Sequence, residues 1–412
     1  MKFRLTAVIV LALCLSNAFA DEGMWLLGNL KKNKQTDRVM RELGLQMPVN
    51  KLYNPKKPCL ADAVVSFGGF CSGVVVSEDG LVFTNHHCGF SSIQQHSSVE
   101  HDYLKDGFVA RSLEEELPNP ELYVRFLLRT ENVTKRVLSA AKHAKTESER
   151  RVAVDSVMNV IGMEVSEKDS TLTGIVDAYY AGNEFWLSVY RDYNDVRLVF
   201  APPSSVGKFG WDTDNWMWPR HTGDFSVFRV YAGPDNKTAD YAPENRPYKA
   251  EKFLKISLGG YDEGDFAMIM GFPGSTQRYM TSYEIDRLLE VENPQRIFIR
   301  GERQAILKED MAASDKVRIQ YASKYAQSSN YWKNSIGMSR GIRRLDVKGR
   351  KQEQEAAFTA WAAKNTLPTE GYSNALNLIR ESVEETAPYF ASSQYLSEAI
   401  GRSVEILAPA RL

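Results

Sequence analysis

The chain has 412 residues, 43% of them hydrophobic and 25% charged, a composition that excludes a disordered chain and can fill one or two domains of the usual ~100–200 residues. Lys and Arg number 51 against 52 Asp and Glu, leaving a net charge of -1. With no global positive field, nucleic acid and anionic membrane surfaces are excluded as general partners.

The first twenty residues read as an export signal. Lys2 and Arg4 precede an apolar run from Leu5 to Leu15, and Ala18-Phe19-Ala20 places small residues where a signal peptidase cuts. Residues 1–20 are therefore expected to be removed near Ala20, leaving a periplasmic or secreted mature protein. The run is shorter than the ~20 residues of a permanent span, and no later segment supplies one. Cys14 leaves with the signal, because Leu13 stands where lipidation needs a small residue. Cys59, Cys71 and Cys88 remain in a compartment that permits disulfides. Cys71 and Cys88 lie across a predicted hairpin, and closing that loop would add about 3 kcal/mol, so these two are expected to pair.

Apolar residues at helical spacing over 34–45, with Gly44 near the end, predict a short helix. The period then changes to two. Residues 63–67, 73–76 and 81–84 are short β-branched and aromatic runs, and Glu78-Asp79-Gly80 supplies a turn, so consecutive antiparallel strands are expected. Between Thr134 and Asp169 the chain is rich in Lys, Glu, Arg and Ala, with Val137, Leu138, Val152, Val157 and Val160 spaced for a helical excursion. Strand pattern returns at 196–200, 225–231 and 266–270. Past Tyr279 the strand signal fades and helical composition runs to the last residue, with no settled closing element over 395–412. The expected organisation is a signal over 1–20, a mainly β unit over 21–279 with a helical excursion near 134–169, and the start of a helical domain over 280–412.

The strongest chemical signal is the strand Leu81-Val82-Phe83-Thr84 running into Asn85-His86-His87-Cys88, after the strand that begins at Cys71. This arrangement resembles chymotrypsin-like proteases, where the general-base His directly precedes a Cys tethered to the previous strand. The resemblance makes His87 the base, His86 a neighbour, and Cys71–Cys88 the tether. An imidazole suits the task because it titrates near neutral pH and can both take and return a proton. Two adjacent histidines in isolation are more often turn residues. A zinc site is the other reading, but no Cys-x-x-Cys or His-x-x-x-His cluster completes four ligands, so no metal is expected.

A His base needs a carboxylate on its other ring nitrogen to hold the tautomer. Asp224 opens the alternating run 224–231 and follows His87 in the His-then-Asp order of such proteases. Alone it would read as a strand-start Asp. The third component, a Ser in a Gly-x-Ser-Gly context, is not found. Gly337-Met338-Ser339-Arg340-Gly341 matches a nucleophile elbow by letter, but it lies in a helical stretch with no strand before it and no His after it.

A longer block, Val206-Gly207-Lys208-Phe209-Gly210-Trp211-Asp212-Thr213-Asp214-Asn215-Trp216-Met217-Trp218-Pro219-Arg220-His221-Thr222-Gly223-Asp224, resembles the bacterial dipeptidyl-peptidase 7 and 11 family. So do Ser329-Asn330-Tyr331-Trp332-Lys333-Asn334-Ser335, Asp21-Glu22-Gly23-Met24-Trp25 and Gly271-Phe272-Pro273-Gly274-Ser275-Thr276. The resemblance implies a chymotrypsin-like double β-barrel with an inserted α-helical domain, whose C-terminal part is missing here. It implies a serine dipeptidyl-peptidase acting on peptides with a free N-terminus, without cofactors, and it is compatible with a homodimer. By the same resemblance Asn215, Trp216 and Asn330 hold the substrate's α-amino group, and the nucleophilic Ser and the residue that sorts P1 side chains lie beyond Leu412. Side-chain carbonyls accept from an ammonium and an indole face attracts one. Composition alone would instead make the tryptophans core aromatics and the asparagines turn formers. The competing functions are a catalytically inactive protein that captures peptide N-termini, or a decayed fragment, and a processing endoprotease of the same fold, against which the amine-holding residues argue.

Overall fold

A computed structural model describes residues 24–30, 34–275, 277–365, 372–401 and 405. The expected signal, its cut near Ala20, and Thr276 lie outside the described residues, as does most of the stretch after Gly401. The strands are β1 (Val64–Phe67), β2 (Cys71–Val75), β3 (Leu81–Thr84), β4 (Phe108–Val109), β5 (Leu117–Pro118), β6 (Val124–Asn132), β7 (Leu172–Tyr179), β8 (Glu184–Tyr193), β9 (Asp195–Ala201), β10 (Ser226–Ala232) and β11 (Arg246–Pro247). All belong to one antiparallel sheet in the order β4-β9-β10-β3-β2-β1-β6-β8-β7, with β11 beside β10 and β5 beside β9. The chain is thus a large antiparallel sheet combined with helices.

Hairpin β1–β2–β3 follows from the turn residues, and its alternation sets its faces. On β3, Val82 and Thr84 are buried while Leu81 and Phe83 are half-buried. The main core joins Val65, Phe67, Val75, Val82, Leu198, Phe228 and Val230. Strand β10 lies between β3 and β9, and its register sets Ser226 opposite Thr84. That register brings the residues after β3 beside those before β10, across 137 positions of chain.

The longer helices are α1 (Lys34–Glu42), α2 (His86–Gln95), α3 (Thr134–Ala140), α4 (Glu147–Lys168), α5 (Ser282–Arg287), α6 (Asn293–Ala313), α7 (Asp315–Arg344), α8 (Val347–Lys364) and α9 (Ala375–Leu396). Helices α3 and α4 are the excursion seen in the sequence. They pack Val137, Ile161 and Val165 onto Val176, Leu187 and Val189 of β7 and β8. Among the described residues no helix is long and apolar enough to cross a membrane.

One expected strand does not form. Residues 266–270 run without a ladder partner among the described residues. Phe266 and Met270 instead pack with Leu30, Met40, Leu45 and Leu52, and Ile269 is exposed. Alternation assigns side chains to faces, but a strand also needs a neighbour for its N–H and C=O groups.

Candidate functional site

Strand β3 ends where Thr84 donates to the carbonyl of Ser72 (2.8 Å), and Asn85 then starts α2. The Asn85 carbonyl accepts from Ser226 Oγ (2.9 Å), and its Nδ2 donates to the Asp224 carbonyl (3.1 Å), so the ends of β3 and β10 are laced together. Asp224 then grips His87 twice: Oδ1 accepts from the backbone N–H (3.0 Å) and Oδ2 lies 2.7 Å from Nδ1. The first N–H groups of a helix have no partner within it, so the carboxylate caps α2 while it aligns the ring. Burial works to raise the Asp224 carboxyl, but the hydrogen bonds and charge of His87 outweigh it and hold the group below the usual carboxylate range.

The His87 side chain is 63% exposed and that of Asp224 19%. With a carboxylate at Nδ1, the ring proton sits there and Nε2 is left as the basic nitrogen. His86 is the opposite case. It is fully buried, edge-on to Phe90, and burial lowers it to about 4. It stays neutral and is no rival for the role of base. Its ring lies so close to Gly207 that a Cβ there would come within 2.4 Å of Cδ2.

Cys71 and Cys88 form the expected disulfide, with Cα atoms 6.1 Å apart. It ties β2 to the residue after His87. The sulfurs of Cys71 and Cys88 lie close to the His87 ring, but they are bonded to each other and offer no thiolate to a metal. Cys59 is free and buried, donating to Asp62 Oδ1 (3.3 Å), and burial raises its thiol.

The second cluster lies where the turn Trp211–Asp214 and the two residues after it meet α7. Asn330 Oδ1 accepts from Asn215 Nδ2 (3.1 Å) and from Trp216 Nε1 (3.0 Å). Asn215 Oδ1 accepts from Arg220 (3.3 Å). The structure therefore brings together the three residues singled out in the sequence. The Asn330 carbonyl, however, already has both lone pairs engaged, which leaves Asn215 Oδ1 with the spare one. The tryptophans are not core aromatics: Trp216 is 53% exposed and Trp218 92%. Trp216 also sits at φ 57, a left-handed conformation costly for a residue with a Cβ.

Lys208, to which sequence reasoning gave no role, is half-buried with its ammonium 4.7 Å from the Phe90 ring and 5.4 Å from that of Trp211. Burial pulls its pKa down, opposed by the charges of Asp212 and Asp224. The same helical register that carries Asn330 also presents Tyr325 and Ser329 to Asp212. Ser339 lies inside α7, buried, and accepts from Asn293 Nδ2 (3.0 Å). It is on no strand-to-helix elbow. Among the described residues no serine hydroxyl bonds His87 Nε2.

Comparisons with known proteins agree on one relationship. The sequence profile described as Peptidase S46 matches residues 20–412. A dipeptidyl-peptidase 7 of Porphyromonas endodontalis is 50% identical over 413 residues, covering 100% of this chain and 50% of that protein. An Asp/Glu-specific dipeptidyl-peptidase of Porphyromonas gingivalis is 42% identical over 411 residues, 98% of this chain and 56% of its own length. The crystal structure of Porphyromonas endodontalis DPP11 with the dipeptide Arg-Glu superposes with a TM-score of 0.87 at 40% identity, over 94% of this chain and 55% of that one. The chain spans about half the length of the relatives it matches.

Proposed function

Because the chain belongs to the Peptidase S46 family, we propose that it carries the acid–base half and the amine-recognition part of a serine-type dipeptidyl-peptidase. The observation that carries this is the double grip of Asp224 on His87, through N–H to Oδ1 at 3.0 Å and Nδ1 to Oδ2 at 2.7 Å. It holds the tautomer in which Nε2 can accept a proton from a serine hydroxyl. As Oγ attacks the scissile carbonyl, that proton moves to Nε2, and the ionised Asp224 stabilises the imidazolium formed. Collapse of the tetrahedral intermediate returns the proton from Nε2 to the leaving amine.

The joined Asn215, Trp216 and Asn330 support exopeptidase action. A free α-ammonium can donate to Asn215 Oδ1 and lie against the exposed indole, and an acetylated N-terminus has no charge to offer. In this reading the nucleophile is a serine outside the 412 residues, and the sheet is part of a chymotrypsin-like double barrel with an inserted helical domain near 280. Export by residues 1–20 fits the Cys71–Cys88 disulfide, which needs an oxidising compartment. No cofactor takes part, and a homodimer belongs to the same reading.

In the full-length gene product, His87→Ala or Asp224→Ala should abolish dipeptide release and fluorophosphonate labelling of the serine should fall sharply. Release that survives either substitution, or equal cleavage of N-acetylated peptides, refutes the proposal. Selective binding of free N-termini with no release by the unsubstituted protein would instead identify a non-catalytic capture protein.

A further inference from the structure

The amine cluster depends on an atom pair held across two distant parts of the chain. Trp216 and Asn330 are 114 positions apart, and Asn330 stands on α7 with its side chain exposed. An exposed amide bond of this kind contributes little by itself, because water competes for each partner. Something less exposed must set the distance.

Asp212 is placed to do so. Its Oδ2 accepts from Tyr325 Oη (2.8 Å), and its Oδ1 accepts from Ser329 Oγ. Tyr325 and Ser329 are one turn apart on the same face of α7, and Ser329 is almost fully buried. Ser329 immediately precedes Asn330, and Asp212 is three residues before Asn215. The brace is therefore in register with the cluster, one residue behind it on the helix and one turn behind it on the loop. Burial, followed by the bond to Asp212, raises the Tyr325 phenol, so it stays a donor. Lys208 nearby is drawn to the Asp212 charge. Lys333 Nζ reaching the Thr213 carbonyl (3.5 Å) adds a weaker tie in the same sense.

We infer that Asp212 is a positioning residue: by binding Tyr325 and Ser329 it locks α7 against the 211–216 segment and so holds Asn330 where Asn215 and Trp216 can share it in recognising the substrate's α-amino group. This rests on the amine-recognition reading above. The carboxylate is suited to the task because each oxygen takes one hydroxyl, and both bonds are charge-assisted. An Asn at this position keeps one acceptor oxygen and turns an NH2 group toward the other hydroxyl.

The test is kinetic, on the full-length gene product, with a dipeptidyl-coumarin substrate and a matched pair of peptide inhibitors, one with a free N-terminus and one N-acetylated. Asp212→Asn is expected to raise KM about tenfold with kcat within about twofold, and to shrink the inhibitor preference for the free amine about tenfold, the change one strong hydrogen bond makes. Tyr325→Phe, which removes only the hydroxyl, should move both readouts in the same direction by several-fold and guards against a folding defect in the first variant. In an Asn330→Ala background, Asp212→Asn should add nothing further. An unchanged KM and inhibitor preference in both Asp212→Asn and Tyr325→Phe, with Asn330→Ala still impaired, overturns the brace alone. No preference for the free amine in the unsubstituted enzyme overturns the amine-recognition reading and this inference with it.

Discussion

Placing a methyl group at Gly207 tests how tightly the His87 neighbourhood is packed. A Cβ built there lies 2.4 Å from Cδ2, 2.5 Å from Cγ and 2.7 Å from Nε2 of His86. These are far inside contact distance, and the obstacle is a fully buried ring that cannot swing into solvent. The 203–210 segment or the start of α2 must therefore move. Overpacking of this size costs about 1–3 kcal/mol, which lowers the melting temperature by roughly 2–4 °C per kcal/mol for a domain of this size. Since His86 directly precedes His87, the displacement should also loosen the 2.7 Å contact with Asp224. The assay is thermal unfolding of Gly207→Ala beside Gly341→Ala, a helical glycine whose added Cβ meets nothing within 4 Å. The control should be neutral or stabilising, because Ala outranks Gly in a helix by about 1 kcal/mol. Removing the obstacle as well, in His86→Ala/Gly207→Ala, should make the second substitution cost less than it does alone. Unfolding of Gly207→Ala at the wild-type temperature, or simple additivity with His86→Ala, refutes the packing argument.

Stability should fall in mild acid because of His86, whose folded pKa of about 4 lies below the ordinary 6.5. The unfolded chain takes up the proton first, so the contribution is fully present above about pH 6.5 and lost progressively toward pH 4, amounting to about 3 kcal/mol. Urea midpoints at pH 7.5 and pH 5 should separate in the wild type and separate less in His86→Leu, where His96, its pKa also lowered by burial, keeps a dependence of the same sign. Asp224, held below its usual range, loses its own contribution only at still lower pH. Cys71→Ser/Cys88→Ser should cost about 3 kcal/mol of chain-entropy stabilisation, seen as the same drop in urea midpoint that a reductant produces in the wild type. Cys59 should react with a thiol reagent only after denaturation, because it is buried. In the full-length gene product, Asp224→Asn should lower kcat by about 10⁴ through the wrong tautomer while leaving KM nearly unchanged; a loss below tenfold would remove Asp224 from the mechanism.

Strands β1, β2, β3, β9 and β10 were legible because each is a short run of period-two residues bounded by turn formers. The long strands β6 and β8 were not. Their runs are interrupted by Arg125, Arg129, Arg191 and Asp192, which look like solvated breaks until Arg125 is seen bonding Asp192 across the ladder at 2.6 Å. The error at 266–270 is the converse, since its alternation is real but no neighbouring strand completes it.

At the site, local sequence carries the residue types and their settings: a His at a strand end before a cysteine, an Asp opening a strand, and a Trp- and Asn-rich block. Such features depend on backbone preferences and hydrophobic period within a few residues of one another. That Asp224 holds both N–H groups of His87, that Asn330 bridges Asn215 and Trp216, and that Asp212 stands behind them emerges from long-range packing. Those contacts depend on the register of β3 against β10 and on the seating of α7. Both are set by burying side chains and satisfying hydrogen bonds over the whole molecule, a balance that no local stretch of sequence contains.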